Sequence, residues 1–224
     1  VVSLFPEQAE ELRVELGDRV RYYGNVVNTE AVRPDAAKLL ARDLEHPAIL
    51  FIGGSKYKPG LMLLLEALER MNAGRPQPIE LHVVGMARHE VLRPLASWAT
   101  VHGYLDKSDP DDQREYRALL DHCALFVNPM PLWGSFSASC EAMHHYMPVI
   151  VDAYPEFTRT FGGAPAIGHL LRTAEQDELV AAIERLLNEK DHWRTCAVNA
   201  HTAVQPFTWT SYVQRLLADV GELD

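Results

Sequence analysis

From residue 48 onward, short apolar runs alternate with longer segments of helical period, and most of the runs end in glycine or proline. Strands buried on both faces of a parallel sheet read as unbroken apolar runs, whereas the helices covering them keep a polar side. AILFIGG (48–54) is such a run, and the helical segment LMLLLEALERMNAG (61–74) follows it and closes on a glycine. IELHVVG (79–85) predicts a second strand, residues 100–103 a short third, ALFVNP (124–129) a fourth and PVIVDA (148–153) a fifth. A weak sixth is expected near 169–171. Between these runs, DPDDQREYRALLDHC (109–123) places acids in the first turn of a helix, where the helix dipole favours them. Residues 136–146 read as a short helix that serines can cap, 176–190 as a strongly amphipathic helix, and 207–220 as the last helix.

The expected fold is therefore α/β: a Rossmann-like, doubly wound parallel sheet of about six strands with helices on both faces. Ligands of such sheets collect in the crevice outside the carboxyl ends of the strands. The loops that matter are then 53–60, 85–90, 103–107 and 130–137. Residues 1–45 differ, with one helix-like segment at 6–16 followed by RVRYYGNVVNTEAVRP. They read as a lead-in to one domain over 46–224. The chain opens at Val1 in what reads as the middle of an element, as a fragment of a longer protein would.

Charge narrows the function. The formal net charge is −10, which disfavours nucleic acid and anionic membrane as partners. An anionic ligand would need a local nest of donors. The longest apolar stretch, 61–65, stops at Glu66, far short of the roughly 20 residues a membrane span needs. The start has neither the basic end nor the apolar core of a signal peptide, so a cytoplasmic location is expected. Cys123, Cys140 and Cys196 stand singly and read as reduced, mostly buried thiols. His144 and His145 are adjacent, so on a helix they point about 100° apart and suit a structural role better than metal binding. No short-range ligand motif stands out, and neither a metal nor another cofactor is expected.

The order of elements and their joining residues resembles the C-terminal, donor-binding lobe of retaining glycosyltransferases of the GT-B fold, glycosyltransferase family 4 (group 1) in particular. YYGNVVNTEAVRP is similar to the passage into that lobe, FIGGSKYKPGLMLLLEAL to its glycine-and-basic loop, and LHVVGMA and VHGYLD to the next two strand ends. ALFVNPMPLWGSFSASCEAMHHYMPVIVD resembles the signature region, in which two glutamates separated by seven residues flank a glycine-rich loop. The resemblance implies an enzyme that transfers a sugar, with retention, from a UDP- or GDP-sugar to an acceptor. That acceptor would be held by an N-terminal lobe that this chain does not include.

The residues themselves suit that chemistry. A diphosphate needs backbone N–H donors and positive charge, which a glycine-rich turn entering a helix supplies. Gly134, Ser135, Phe136 and Ser137 would form that turn. Glu141, about one turn into the helix, holds the place of the second signature glutamate, which accepts from ribose hydroxyls in the family. Lys56 and Lys58 are the candidate catalytic cations that would stabilise the departing diphosphate. Gly53, Gly54, Gly85, Gly103 and Tyr104 complete the donor-binding set at the strand ends. The sequence also departs from the pattern. Trp133 stands where the first signature glutamate is expected, and Gly54 and Pro59 hold the places of the family's arginine and lysine. These departures motivate the alternative reading, a degenerate, non-catalytic nucleotide-sugar or interaction lobe of the same fold. In that setting Trp133 either packs on the core edge or stacks on the donor. Asp152 and Glu156 follow the fifth strand near the same site.

Overall fold

A computed structural model of the chain describes residues 2–3, 6–23, 26, 33–91, 94–130, 136–162, 166–173 and 175–221. The first part holds β1 (Val2–Ser3), α1 (Pro6–Leu16), β2 (Arg21–Tyr22) and α2 (Ala36–Leu39), with β1 and β2 pairing in parallel. Six strands then form the main sheet: β3 (Ala48–Ile52), β4 (Glu80–Val84), β5 (Ala99–Gly103), β6 (Leu125–Asn128), β7 (Val149–Asp152) and β8 (Gly168–Leu171). They lie in the order β5–β4–β3–β6–β7–β8 and every neighbouring pair is parallel. The helices joining them are α3 (Lys58–Asn72), α4 (Pro110–His122), α5 (Ser137–His144) and α6 (Pro155–Phe161). Past β8 come α7 (Gln176–Asn188), α8 (Lys190–Val204) and α9 (Trp209–Gly221).

Strand alternation builds the two layers of core. Side chains of successive strand residues point to opposite faces. Ile49 and Phe51 therefore join Leu125 and Val127 under α3 and α7, while Ala48 and Leu50 join Phe126 under α4, α5 and α6. Because both faces are covered, the strands carry apolar residues at nearly every position, the continuous runs visible in the sequence. The six expected strands and the doubly wound architecture are both present.

Local chemistry sets the helix boundaries. Asp109 caps α4 by accepting from the N–H groups of Asp111 (2.8 Å) and Asp112 (3.2 Å), and Pro110 occupies the first turn, where its missing N–H costs nothing. Three helices lie outside the sequence expectations, the short α2 among them. Residues 155–161 fold as α6, begun by Pro155. α8 buries Trp193, Cys196, Ala197, Ala200 and Val204, a stripe of helical period interrupted by polar residues that hide it from a search for apolar runs. Cys123, Cys140 and Cys196 are free and buried.

The residues before 46 are fastened to both ends of the domain. The Tyr22 hydroxyl lies 2.7 Å from Oγ1 of Thr160 on α6, and Arg159 pairs with Glu10 at 2.6 Å. Tyr23 donates to Asp219 on α9 and packs edge-on against Tyr212 at 5.1 Å. Arg42 goes deeper. Its buried guanidinium donates to four backbone carbonyls at the ends of α4 and α5: Leu120 (2.7 Å), Asp121 (3.2 Å), His145 (2.8 Å) and Tyr146 (2.8 Å). Burial lowers its pKa to about 10, so it stays charged at neutral pH.

Two outcomes are expected from these contacts. Arg42→Ala strips the donor from four carbonyls and should cost about 3–5 kcal/mol in chemical denaturation. Glu178 accepts from the N–H groups of Arg172 (3.1 Å) and Thr173 (2.9 Å) at the β8–α7 turn. Although partial burial raises its pKa, the hydrogen bonds from Arg172, His169 and Thr173 outweigh this and bring it down to about 2. A depressed carboxylate stabilises the fold above its unfolded pKa, and that stability is lost as pH falls toward the folded value. Glu178→Gln should therefore flatten the loss of stability between about pH 4.5 and 2 in acid titration.

Candidate functional site

The sheet order reverses between β3 and β6, so the chain leaves these adjacent strands toward opposite faces: α3 packs on one side and α5 on the other. Diverging connections leave a crevice above the carboxyl ends of the two strands. A cavity of about 180 Å³ lies there, lined by Gly53, Tyr57, Asn128, Phe136, Ser137 and Tyr154 among others. Asn128 Nδ2 donates to the Ile52 carbonyl at 3.2 Å and ties the two strand ends together.

Close backbone approach shapes the neighbouring strand ends. The Gly53 N–H donates to the Val84 carbonyl (2.9 Å) and the Gly85 N–H to the Gly103 carbonyl (2.7 Å). Gly85 sits at φ +97°, and a Cβ there would stand 3.0 Å from the Gly53 oxygen. A side chain at 85 is therefore excluded by conformation and by space together. Glu90 holds the next layer, accepting from Ser55 Oγ and from the Ala87 N–H (2.6 Å), which ties the loops after β3 and β4 together.

The amino end of α5 faces the cavity, since Ser137, Ala138 and Ser139 all line it. The first N–H groups of a helix have no intrahelical acceptor, and no side chain caps this end among the described residues. They form a donor cluster at the positive end of the helix dipole. Glu141 stands one turn behind Ser137 on the same side of α5. Its carboxylate is 24% exposed and receives Lys107 Nζ on both oxygens, at 2.8 and 2.6 Å. The buried Tyr116 hydroxyl donates to it at 2.5 Å, and Lys107 lies over the Tyr116 ring at 4.2 Å. Burial, with the Glu141 charge beside it, raises the Tyr116 pKa well above its ordinary value, so the phenol remains a neutral donor.

The structure brings together Gly53, Phe136 and Ser137 at the cavity, with Gly54, Gly85 and Gly103 at the adjoining strand ends. Phe136 commits its ring to the core, edge-on to Phe157 and Phe161 at 5.8 and 5.7 Å, which leaves only its backbone to the turn. Lys58 is the first residue of α3, and Lys56 is exposed with its ammonium 5.0 Å from the Tyr57 ring centroid. Tyr104 is 78% exposed beside the crevice loops. Trp133, Gly134 and Ser135 lie outside the described residues. Asp152 ends β7 with its pKa raised by partial burial and by Glu178, and Glu156 is buried on α6. His144 and His145 are buried, with His145 Nδ1 3.1 Å from Asp121, as a structural role requires.

Sequence reasoning missed Lys107, Tyr116, Asn128 and Tyr154. Asn128 ends an apolar run, a polar residue where the strand meets the crevice, and that signal was readable. The pairing of Lys107 and Tyr116 with Glu141 across 34 and 25 positions was not. Tyr116→Phe should cost about 1–2 kcal/mol in chemical denaturation by leaving one Glu141 oxygen short of a donor.

The family model for "Glycosyl transferases group 1" matches residues 46–189, most of the chain. No curated protein sequence matches. Among solved structures, a sucrose-phosphate synthase from Thermosynechococcus elongatus is similar at 21% identity and a TM-score of 0.71, covering 100% of this chain and 59% of that one. The Anabaena HepE protein, solved with UDP and glucose, aligns at 15% identity and a TM-score of 0.73, over 99% of this chain and 62% of its own. The pneumococcal O-GlcNAc transferase GtfA, solved with UDP and GlcNAc, aligns at 12% identity and a TM-score of 0.72, over 99% and 44%. The chain thus spans less than two thirds of the length of these structures, and the likeness is one of fold. Among the described residues no helix is long and apolar enough to cross a membrane.

Proposed function

Because the chain belongs to the group 1 glycosyl transferases, we propose that its crevice holds a nucleoside diphosphate sugar, UDP- or GDP-linked, as donor for transfer with retention to an acceptor. The observation that carries this reading is the start of α5, uncapped among the described residues and facing the cavity, with Glu141 one turn behind it. Backbone N–H groups at a helix start suit a diphosphate, and a carboxylate one turn further suits ribose hydroxyls. UDP bound in HepE and in GtfA supports the choice of ligand class. The acceptor, in this proposal, is held by an N-terminal lobe of the same enzyme across the crevice.

In the transfer the anomeric C–O bond to the diphosphate breaks as the sugar gains cationic character, and negative charge gathers on the leaving oxygen. The α5 amides and the ammonium groups of Lys56 and Lys58 are assigned to that charge. Lys107, paired with Glu141, is proposed as a third cation for the same charge. Among the described residues the cavity lining holds no carboxylate or histidine, and in this proposal charge compensation is assigned to these groups.

Calorimetric titration with UDP, GDP and ADP tests the reading. Saturable binding of one diphosphate is expected, weakened roughly 10–100-fold by Glu141→Ala, the equivalent of one charge-assisted hydrogen bond. Lys58→Ala should weaken the diphosphate while leaving the nucleoside alone unaffected. Failure of all three nucleotides to bind a folded sample would overturn the proposal.

A further inference from the structure

Away from the crevice, at the amino end of β4, three side chains converge from two elements. Glu80 opens β4, His82 lies two residues on, and His122 ends α4. His82 Nε2 stands 3.6 Å from Glu80 Oε2, and His122 Nε2 stands 3.7 Å from the same oxygen. The three ligand atoms all lie within 4.8 Å of one another. Tetrahedral zinc, with bonds of about 2.1 Å, needs ligand atoms about 3.4 Å apart. Small rotations of two exposed side chains close that difference.

The His82 ring is held from behind. His102 Nδ1 lies 2.5 Å from the Glu115 carboxylate, and His102 Nε2 lies 3.0 Å from His82 Nδ1. This chain engages the Nδ1 side of His82 and turns Nε2 toward Glu80 and His122. That atom is buried and has no partner within hydrogen-bond distance among the described residues. A buried polar atom without a close partner is costly unless something fills its place. A carboxylate–histidine chain behind a ligating imidazole is also the outer shell that metal sites use to orient their ligands.

We propose that Glu80, His82 and His122 form a site for a divalent transition metal of the zinc class, with Glu115 and His102 as its outer shell and water in the fourth position. Imidazole nitrogen with one carboxylate oxygen suits such ions better than magnesium or calcium, which take oxygen ligands. The metal would staple the start of β4 to the end of α4. Its distance from the crevice, the full length of β4, makes it a structural site that stands apart from the transfer chemistry. It does not rest on the donor-binding reading.

Zinc titration of the whole chain, stripped of metal with EDTA and dialysed, tests the proposal by calorimetry and thermal melting. One equivalent should bind, and zinc at about a hundred times its Kd should raise Tm by roughly 5–10 °C. His122→Ala and Glu80→Gln, at exposed positions that leave the fold intact, should each remove the shift. His102→Ala should weaken binding about 10–100-fold through the outer shell alone. His46→Ala, on a separate His–Asp pair, should change nothing. An absence of stoichiometric binding by the unaltered chain would overturn the proposal, as would zinc binding that survives both His122→Ala and His82→Ala unchanged.

Discussion

Two parallel strands at the centre of the sheet, β3 and β6, send their helices to opposite faces, and the rest of the site follows from that divergence. Parallel strands must be joined by crossovers, and a crossover that changes side leaves an uncovered gap at the strand ends. Gly53 of the β3 turn and the start of α5 line the gap. Buried strand ends leave polar groups to be matched, and here the matching is done by Asn128 on Ile52 and by the Gly53 and Gly85 amides on neighbouring carbonyls.

α5 is gripped along its length but not at its start. At its carboxyl end the buried Arg42 guanidinium binds the carbonyls of His145 and Tyr146. In the middle, Lys107 and Tyr116 hold Glu141 from the β5–α4 side. The first turn, which no side chain caps among the described residues, faces the cavity. A short helix would otherwise be marginal. Fixing its end and middle by charged, hydrogen-bonded partners keeps the first turn aimed without covering it. This also explains why residues before 46, read in sequence as a lead-in, matter to the site: Arg42 belongs to them.

The six strands of the main sheet and six of the helices were legible, because buried parallel strands leave apolar runs such as AILFI and LFVN that turn residues punctuate. α8 was not, since its stripe of Trp193, Cys196, Ala197 and Ala200 mixes small residues with histidines and threonines and never forms an apolar run. α6 was masked by the proline and glutamate that begin it. Of the candidate site, the crevice loops and the helix start that carries Glu141 could be placed from sequence, while their role in binding is a proposal. Its partners were not, since Lys107 and Tyr116 reach Glu141 only through the packing of α4 against α5. The Glu80–His82–His122 cluster escapes a search by motif spacing for the same reason: β4 and the end of α4 meet only once the sheet is wound.

In the proposed function the start of α5 and the β3 turn together cradle a diphosphate. Amide hydrogen exchange with and without saturating UDP or GDP tests this, because the donors assigned to the ligand are the amides themselves. Protection is expected in segments 53–60 and 136–141, with the core strands unchanged. Exchange that does not change in those two segments while nucleotide protects another part of the chain would contradict it.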